Sequence, residues 1–167
     1  LGVAACAATP IKGLLERIDK GASRKFIIEQ TNAPTDFFEL DQKDDKVVVR
    51  GNNYVCIATG LNWYLKYYAG IHLSWNSMQA ELPEVLPAVK QKERHETTMK
   101  YRYNFNYCTF SYTMAFWDWE RWEKEIDWMA LHGINLPLSI VGADCVWYHV
   151  LDKLGYTPKE INEFIAG

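Results

Sequence analysis

Between Gly133 and Gly142 runs Ile134-Asn135-Leu136-Pro137-Leu138-Ser139-Ile140-Val141, apolar almost throughout. A strand with one wet face alternates apolar and polar residues. A nearly continuous apolar strand belongs instead in a parallel sheet, where helices cover both faces. Helical patterns flank this run. Trp117 to Gly133 carries Trp119, Trp122, Ile126, Met129 and Ala130 on one stripe, and Ala143 to Leu154 resumes the spacing through Val146, Val150, Leu151 and Leu154. Upstream, Tyr101, Tyr103, Phe105 and Tyr107 alternate with Arg102, Asn104, Asn106 and Cys108, the two-residue period of a strand with an aromatic and a polar face. Thr157-Pro158 caps a last helix, Lys159 to Ala166. The order strand, helix, strand, helix predicts two βα units of a parallel α/β fold.

In a (β/α)₈ barrel the inward strand residues fill the centre, and those at the C-terminal ends face the substrate. That geometry places Arg102 and Asn104 deep, and Asn106 and Cys108 near the mouth, with the rings turned toward surrounding helices. Two units cannot close a barrel, so the second strand's open edge calls for further units. The expectation requires the strand beginning at Tyr101 to pair parallel with the 134–141 run. An antiparallel pairing contradicts it.

The first half reads differently. Thr9-Pro10 is an N-cap and first-turn proline ahead of Ile11, Leu14, Leu15 and Ile18 at helical spacing. Lys25 to Gln30 reads as a strand, and Phe37 to Asp41 with Lys46 to Arg50 as a hairpin turning at Gln42 to Asp45. Asn52 to Ala69 is a helix with Tyr54, Ile57, Ala58, Leu61, Leu65 and Tyr68 on one stripe and Gly70 as its left-handed stop. Ile71 to Trp75 reads as extended, and Gln79 to Lys92 as a return strand or linker. The fold class is α/β: a small N-terminal α/β domain over residues 1–95, then the first two βα units of a (β/α)₈ barrel over 96–167, with the composition shift at Glu93 to Thr98.

The net charge of −3 and scattered Lys and Arg give no basic surface to neutralise phosphates, which argues against a nucleic-acid partner. Seven Trp crowd mainly into the second half, as core residues or as flat faces for sugar rings. The four cysteines lack the close pairs of a zinc or redox site, and no phosphate loop appears, so no cofactor or metal is implied. Cys56, Cys108 and Cys145 read as buried thiols, Cys108 on a strand. Residues 1–8 are small and apolar with no charged n-region. Val3-Ala4-Ala5-Cys6 resembles the lipobox of bacterial lipoproteins, and the segment equally suits ordinary signal cleavage or the start of the first helix. No apolar stretch is long enough to span a membrane.

The text from Tyr101 to Tyr112, followed by Trp117-Asp118-Trp119-Glu120-Arg121-Trp122-Glu123-Lys124-Glu125-Ile126-Asp127-Trp128-Met129-Ala130-Leu131-His132-Gly133-Ile134-Asn135, resembles the start of the catalytic barrel in glycoside hydrolase family 89. The helix Asn52 to Tyr68 with the following Gly-Ile-His-Leu-Ser-Trp resembles that family's N-terminal domain. The resemblance implies an exo-acting, retaining α-N-acetylglucosaminidase that removes terminal α-linked N-acetylglucosamine from glycans; export to the periplasm or cell surface is the expectation of the segment ending at Cys6. It implies an Asn, a Cys and a Tyr that help form the pocket for the terminal sugar, matching Asn106, Cys108 and Tyr112. A plainer reading packs Asn106 and Cys108 in the barrel interior. The resemblance also implies two catalytic glutamates on later strands, about 5 Å apart. No carboxylate of this chain matches them, so no catalytic residue is expected here and the chain alone is expected to be inactive. Many members carry Gln-Glu after the glycine that matches Gly142. This chain has Ala143-Asp144, which leaves any polar role to Asp144.

The acidic residues Glu120, Glu123, Glu125 and Asp127 read as an exposed helix face, with Glu120–Lys124 and Arg121–Glu125 as i,i+4 pairs. Two rivals stand beside the hydrolase. One is a carbohydrate-binding or interaction module stacking sugars on exposed Trp75 and Trp117. The other is a processed gene piece with no independent function.

Overall fold

Isoleucine and leucine at positions 11, 14, 15 and 18 fall on one side of the first helix, α1 (Thr9–Ile18), and all four are buried. The computed structural model describes residues 9–140 and 142–166. The Val3 to Cys6 segment lies outside the described residues. The chain forms two units, one comprising the described residues to Asn104 with Trp117–Pro137, the other Phe105–Phe116 with the residues from Leu138 onward.

In the first unit a four-stranded sheet runs in the order β1 (Phe26–Gln30), β3 (Lys46–Gly51), β2 (Asp36–Lys43), β4 (Glu93–Thr97). β1 is parallel to β3, while β2 is antiparallel to both β3 and β4. The hairpin falls where the sequence places it, turning at Asp44 in the left-handed region with φ 55°. Strand alternation then sorts the side chains. Phe26, Phe38, Leu40, Val47 and Val49 join a core with α1 and the helix α2 (Tyr54–Tyr67). Asn53 caps α2 by accepting from Cys56 N at 2.9 Å, and Gly70 takes the left-handed φ of 68° beyond its end.

The other face of the sheet carries charge in alternating sign. The register sets Glu29 opposite Arg50, Arg50 opposite Glu39, and Glu39 opposite Arg94, one continuous row across all four strands. Arg50 pairs with Glu29 and with Asp41 at 2.8 Å, and Glu39 receives Lys92 at 3.0 Å and Arg94 at 3.1 Å. The Arg94 guanidinium covers the Phe37 ring, its carbon 3.6 Å from the ring centre.

Ile71 to Trp75 is not a ladder strand, and of its two readings Gln79 to Lys92 is the linker and not the return strand; the fourth strand is Glu93–Thr97, the stretch of the composition shift. The segment from Gly70 to Lys92 is pinned residue by residue. Leu73, Leu82, Leu86 and Val89 enter the core, Ala80 N donates to Ile18 O at 3.1 Å, and the Tyr64 hydroxyl donates to Pro87 O at 2.6 Å. Pro83 and Pro87 lack the N–H a ladder needs, so the chain is held by side chains and single bonds.

Helix α4 (Trp119–Leu131) packs on α2 within this unit, and Leu131 is fully buried in the same core as the sheet. The short strands β5 (Tyr103–Asn104) and β6 (Leu136–Pro137) pair parallel, Tyr103 beside Leu136 and Asn104 beside Pro137. The direction of pairing is as expected; its extent is not. Within the 134–141 run Leu136 and Ile140 stay about two-fifths exposed, the open apolar faces that call for further barrel units. Among the described residues only β5 pairs with it, over two residues.

The second unit contains α3 (Tyr107–Ser111), α5 (Ala143–Lys153) and α6 (Pro158–Ala166). Helices α5 and α6 pack together. A capping box opens α6: the Thr157 hydroxyl and N–H donate to Glu160 Oε2 at 2.7 and 2.8 Å, and Glu160 N–H donates back to Thr157 Oγ1. The apolar stripe of α5 through Val146, Val150 and Leu154 is exposed.

Gly60 marks the closest approach of α2 to the sheet, since a Cβ there would lie 2.9 Å from Val49 Cγ1 and 3.1 Å from Phe38. Alanine is the better helix former by about 1 kcal/mol, yet Gly60→Ala is expected to destabilise by about 1–3 kcal/mol through overpacking, read as a lower midpoint in urea. The charged row predicts acid lability. Burial pushes the Glu39 carboxyl up, but Lys92 and Arg94 override it and hold the group below its ordinary value; Arg50 does the same for Asp41. Carboxyls lowered in the folded state stabilise it above their unfolded values of ~4, and that stability disappears as pH falls through the lower folded values. The melting temperature should therefore drop below about pH 4, and Glu39→Gln should flatten that drop.

Candidate functional site

Backbone geometry decides what the three expected pocket residues can offer. Beyond β5, Phe105 takes φ 74°, a left-handed conformation uncommon for a bulky residue. Asn106 then returns to extended backbone and caps α3, its Oδ1 accepting from Cys108 N at 3.0 Å and Thr109 N at 3.2 Å. Thr109 Oγ1 donates to Asn106 O at 2.7 Å, closing the turn. The side-chain oxygen is thus committed to the helix, and the Nδ2 amine is the end left to donate to a ligand. An amide bonding a sugar in both directions, the sequence expectation, is narrowed to a donor.

Cys108 sits on α3, not on a strand, and it is exposed, as is Cys145. Their reading as buried thiols is overturned: for Cys108 the reason is local, since the left-handed Phe105 ends the strand and Asn106 starts a helix two residues before it, while Cys145 lies on α5 as expected but on an exposed side. Cys56 alone of the three is buried as expected. Tyr112 closes α3 at its C-terminal end, with its N–H on Thr109 O and the residue 78% exposed. Asn106, Cys108 and Tyr112 therefore lie on one tight turn and single-turn helix just past the C-terminal end of a parallel strand. Asp144, in the first turn of α5, is also exposed.

Other residues take roles that the sequence pattern did not reveal. Arg102 does not point along a barrel axis; its Nη2 donates to Asp36 Oδ2 of β2 at 2.7 Å, Nη1 to Met99 O at 2.7 Å, and Nε to Gly133 O. Burial pushes the Asp36 carboxyl up, but bonds from Arg102 and Asn52 outweigh it and hold the group low. Glu125 is 2% exposed, so the Arg121–Glu125 pair is no solvated helix face. Its Oε2 accepts from Trp75 Nε1 at 2.6 Å and Arg121 Nη2 at 3.0 Å. Asp127 is taken by Arg17 of α1 through two bonds at 2.6 and 2.8 Å. Only Glu120–Lys124, at 3.8 Å, is the exposed pair expected. The buried stripe of α4 centres on Glu125 and Met129 with half-buried Trp122, while Trp119 and Ile126 face out. Hydrophobic spacing misplaced the stripe because a charged residue, neutralised in place, occupies it.

The Arg121 guanidinium lies over both Trp117 and Trp75, 3.9 and 4.6 Å from their ring centres. The cation covers one face of each ring that a sugar-stacking module would use, while Trp75 stays 44% exposed.

Two family models divide the chain. Residues 9–88 match the N-terminal domain of alpha-N-acetylglucosaminidase (NAGLU), and residues 102–167 match its tim-barrel domain. The chain belongs to glycoside hydrolase family 89. Human alpha-N-acetylglucosaminidase is 48% identical over 122 residues, 73% of this chain and 16% of the human protein. A family 89 glycoside hydrolase from Clostridium perfringens, solved with 2-acetamido-1,2-dideoxynojirmycin, superposes with TM-score 0.84 at 37% identity, covering 94% of this chain and 18% of that one. A variant of the Clostridium perfringens enzyme, in complex with its substrate GlcNAc-alpha-1,4-galactose, gives TM-score 0.81 at 36% identity with the same coverage. The chain thus spans about a sixth of its relatives' length, their N-terminal domain and the opening of the barrel. No helix among the described residues is long and apolar enough to cross a membrane.

The thiols offer a direct check on this part of the fold. In a Cys6→Ser background, Cys108 and Cys145 should react promptly with a disulfide reagent at pH 8. Cys56 should react only on unfolding, because burial, reinforced by the Asp36 charge, pushes its thiol up to about 11. Rapid modification of all three would place Cys56 outside the core.

Proposed function

We propose that the protein containing this chain is an exo-acting, retaining α-N-acetylglucosaminidase that hydrolyses terminal α-linked N-acetylglucosamine from glycans. In this reading residues 1–95 form its small N-terminal α/β domain and residues 96–167 begin its catalytic barrel. The observation that carries the reading is the parallel β5–β6 pair inside the segment matching the tim-barrel domain. The relatives' bound iminosugar and GlcNAc-terminated disaccharide supply the substrate class.

Asn106, Cys108 and Tyr112 form one wall of the pocket for the terminal sugar. The Asn106 amine donates to a sugar hydroxyl or to the acetamido oxygen, its orientation locked by the cap its own oxygen makes. The Cys108 thiol is small enough to leave room beside the ring, and the Tyr112 ring supplies a flat apolar face with a hydroxyl at its tip. The two acids of a retaining glycosidase must face each other across the scissile bond. Glu125, Glu39 and Asp36 are each already engaged by Arg, Lys, Trp or Asn side chains. As the family resemblance implies, the acids come from later barrel strands, and the rest of the barrel is this chain's partner in catalysis. Export fits a glycan substrate, with the Val3 to Cys6 segment as a signal or lipoprotein remnant leading to the periplasm or cell surface.

An aryl α-N-acetylglucosaminide tests the assignment. The full-length protein should release the aryl alcohol and the isolated chain should not; turnover by the isolated chain would refute the placement of the acids. Asn106→Asp keeps the capping oxygen and removes the donor. It should preserve the melting temperature while lowering kcat/KM by roughly 10- to 100-fold, the loss of a hydrogen bond to a buried ligand.

A further inference from the structure

A two-residue parallel ladder is too short to fix its own register, and slipping by one residue turns every side chain to the opposite face. Something else must hold β5, whose end leads straight into Phe105 and Asn106. The bonds around Arg102 do this. Its N–H donates to Asn135 Oδ1 at 2.8 Å, and its carbonyl accepts from the N–H groups of Asn135 and Leu136, both at 3.2 Å. Asn135 Nδ2 reaches back to Lys100 O at 3.0 Å. The guanidinium fork then ties this junction outward, to Met99, to the turn at Gly133 and to Asp36 at the start of β2.

Asp36 is itself fixed from the other side. Its Oδ1 accepts from Asn52 Nδ2 at 3.0 Å and Asn53 Nδ2 at 2.9 Å, so the carboxylate has both oxygens engaged and is braced by the residue that caps α2. Arg102 and Asp36 are both largely buried, their side chains 17% and 21% exposed. A cavity of about 190 Å³ lies beside the pair, lined by Cys56, Thr59, His95 and Gly133 among others. Beyond the backbone and Asn135 bonds, the ion pair is the tie that joins this junction to β2.

We propose that Arg102 and Asp36 are positioning residues for the sugar pocket: their ion pair uses the N-terminal sheet to set the register of the strand that presents Asn106 and Cys108. Neither touches substrate in this proposal. It rests on the glycosidase reading above, and the misplacement of a binding group by about 1 Å can cost on the order of 100-fold in rate.

The test uses the full-length protein below its unfolding temperature, with kinetics on 4-nitrophenyl α-N-acetylglucosaminide and calorimetric affinity for an N-acetylglucosamine-like iminosugar. Arg102→Met should raise both KM and the inhibitor Kd by about 10-fold or more, in the regime expected for lost orientation. Arg102→Lys keeps charge but not the fork and should recover only part of the loss. Asp36→Asn should give a smaller change of the same kind, and the double variant should be no worse than Arg102→Met, since the pair acts as a unit. A merely structural pair would lower the melting temperature and the titrated fraction of active sites while leaving KM and Kd at wild-type values, and that result overturns the proposal. If Arg102→Met does not fold, Asp36→Asn decides by the same two readouts. A wild-type protein that neither turns over the substrate nor binds the inhibitor removes the glycosidase reading, and this proposal with it.

Discussion

Helix α2 is packed on two sides, and the first unit depends on that double burial. One side meets the sheet so closely that Gly60 has no space for a methyl group. The other meets α4, with Thr59 Oγ1 bonded to Val55 O at 2.8 Å and lying 3.4 Å from Ala130 O, and with Leu131 in the same core as Leu61 and Val49. Hydrophobic burial is non-directional and gains with contiguous area, so a small four-stranded layer joined to a further helix holds a larger core than it could alone. The first barrel helix therefore belongs, in packing, to the layer that precedes it in sequence.

Polar groups make that shared core specific. A buried carboxylate costs several kcal/mol unless charge and hydrogen bonds compensate it. Glu125 is compensated by an indole N–H and a guanidinium, and the same guanidinium stacks on two tryptophans. Arg17 to Asp127 and Arg102 to Asp36 repeat the device at other joins between distant parts of the chain. Each pair has one geometry, whereas apolar contact tolerates sliding. Register and orientation are consequently carried by ions, and adhesion by the core.

Around Asn106 the same economy appears on a smaller scale. One asparagine ends a strand turn, starts a helix and keeps an amine free of the cap. A binding group fixed by its own backbone loses little freedom when it meets a ligand. The strained φ of Phe105 is what allows the turn to be that tight.

Local chemistry was legible in the residues. Asn53, Gly70 and Thr157-Pro158 punctuate helices where their side chains and dihedral preferences require, and the charged Gln42 to Asp45 turn closes the hairpin, because caps and tight turns depend on near neighbours. The parallel pairing of the two βα units followed from their apolar run, and the family from their Trp-rich text. Tertiary structure decided what depends on partners far along the chain. Glu93–Thr97 became an edge strand because β2 offered it a ladder; Glu125 went inside because Trp75 and Arg121 met it there; Arg102 turned to Asp36 across 66 residues. Cys108 left its strand because Phe105 adopted a dihedral that no periodicity encodes. Spacing reports which residues share a face, and a face acquires its inside only when something packs against it.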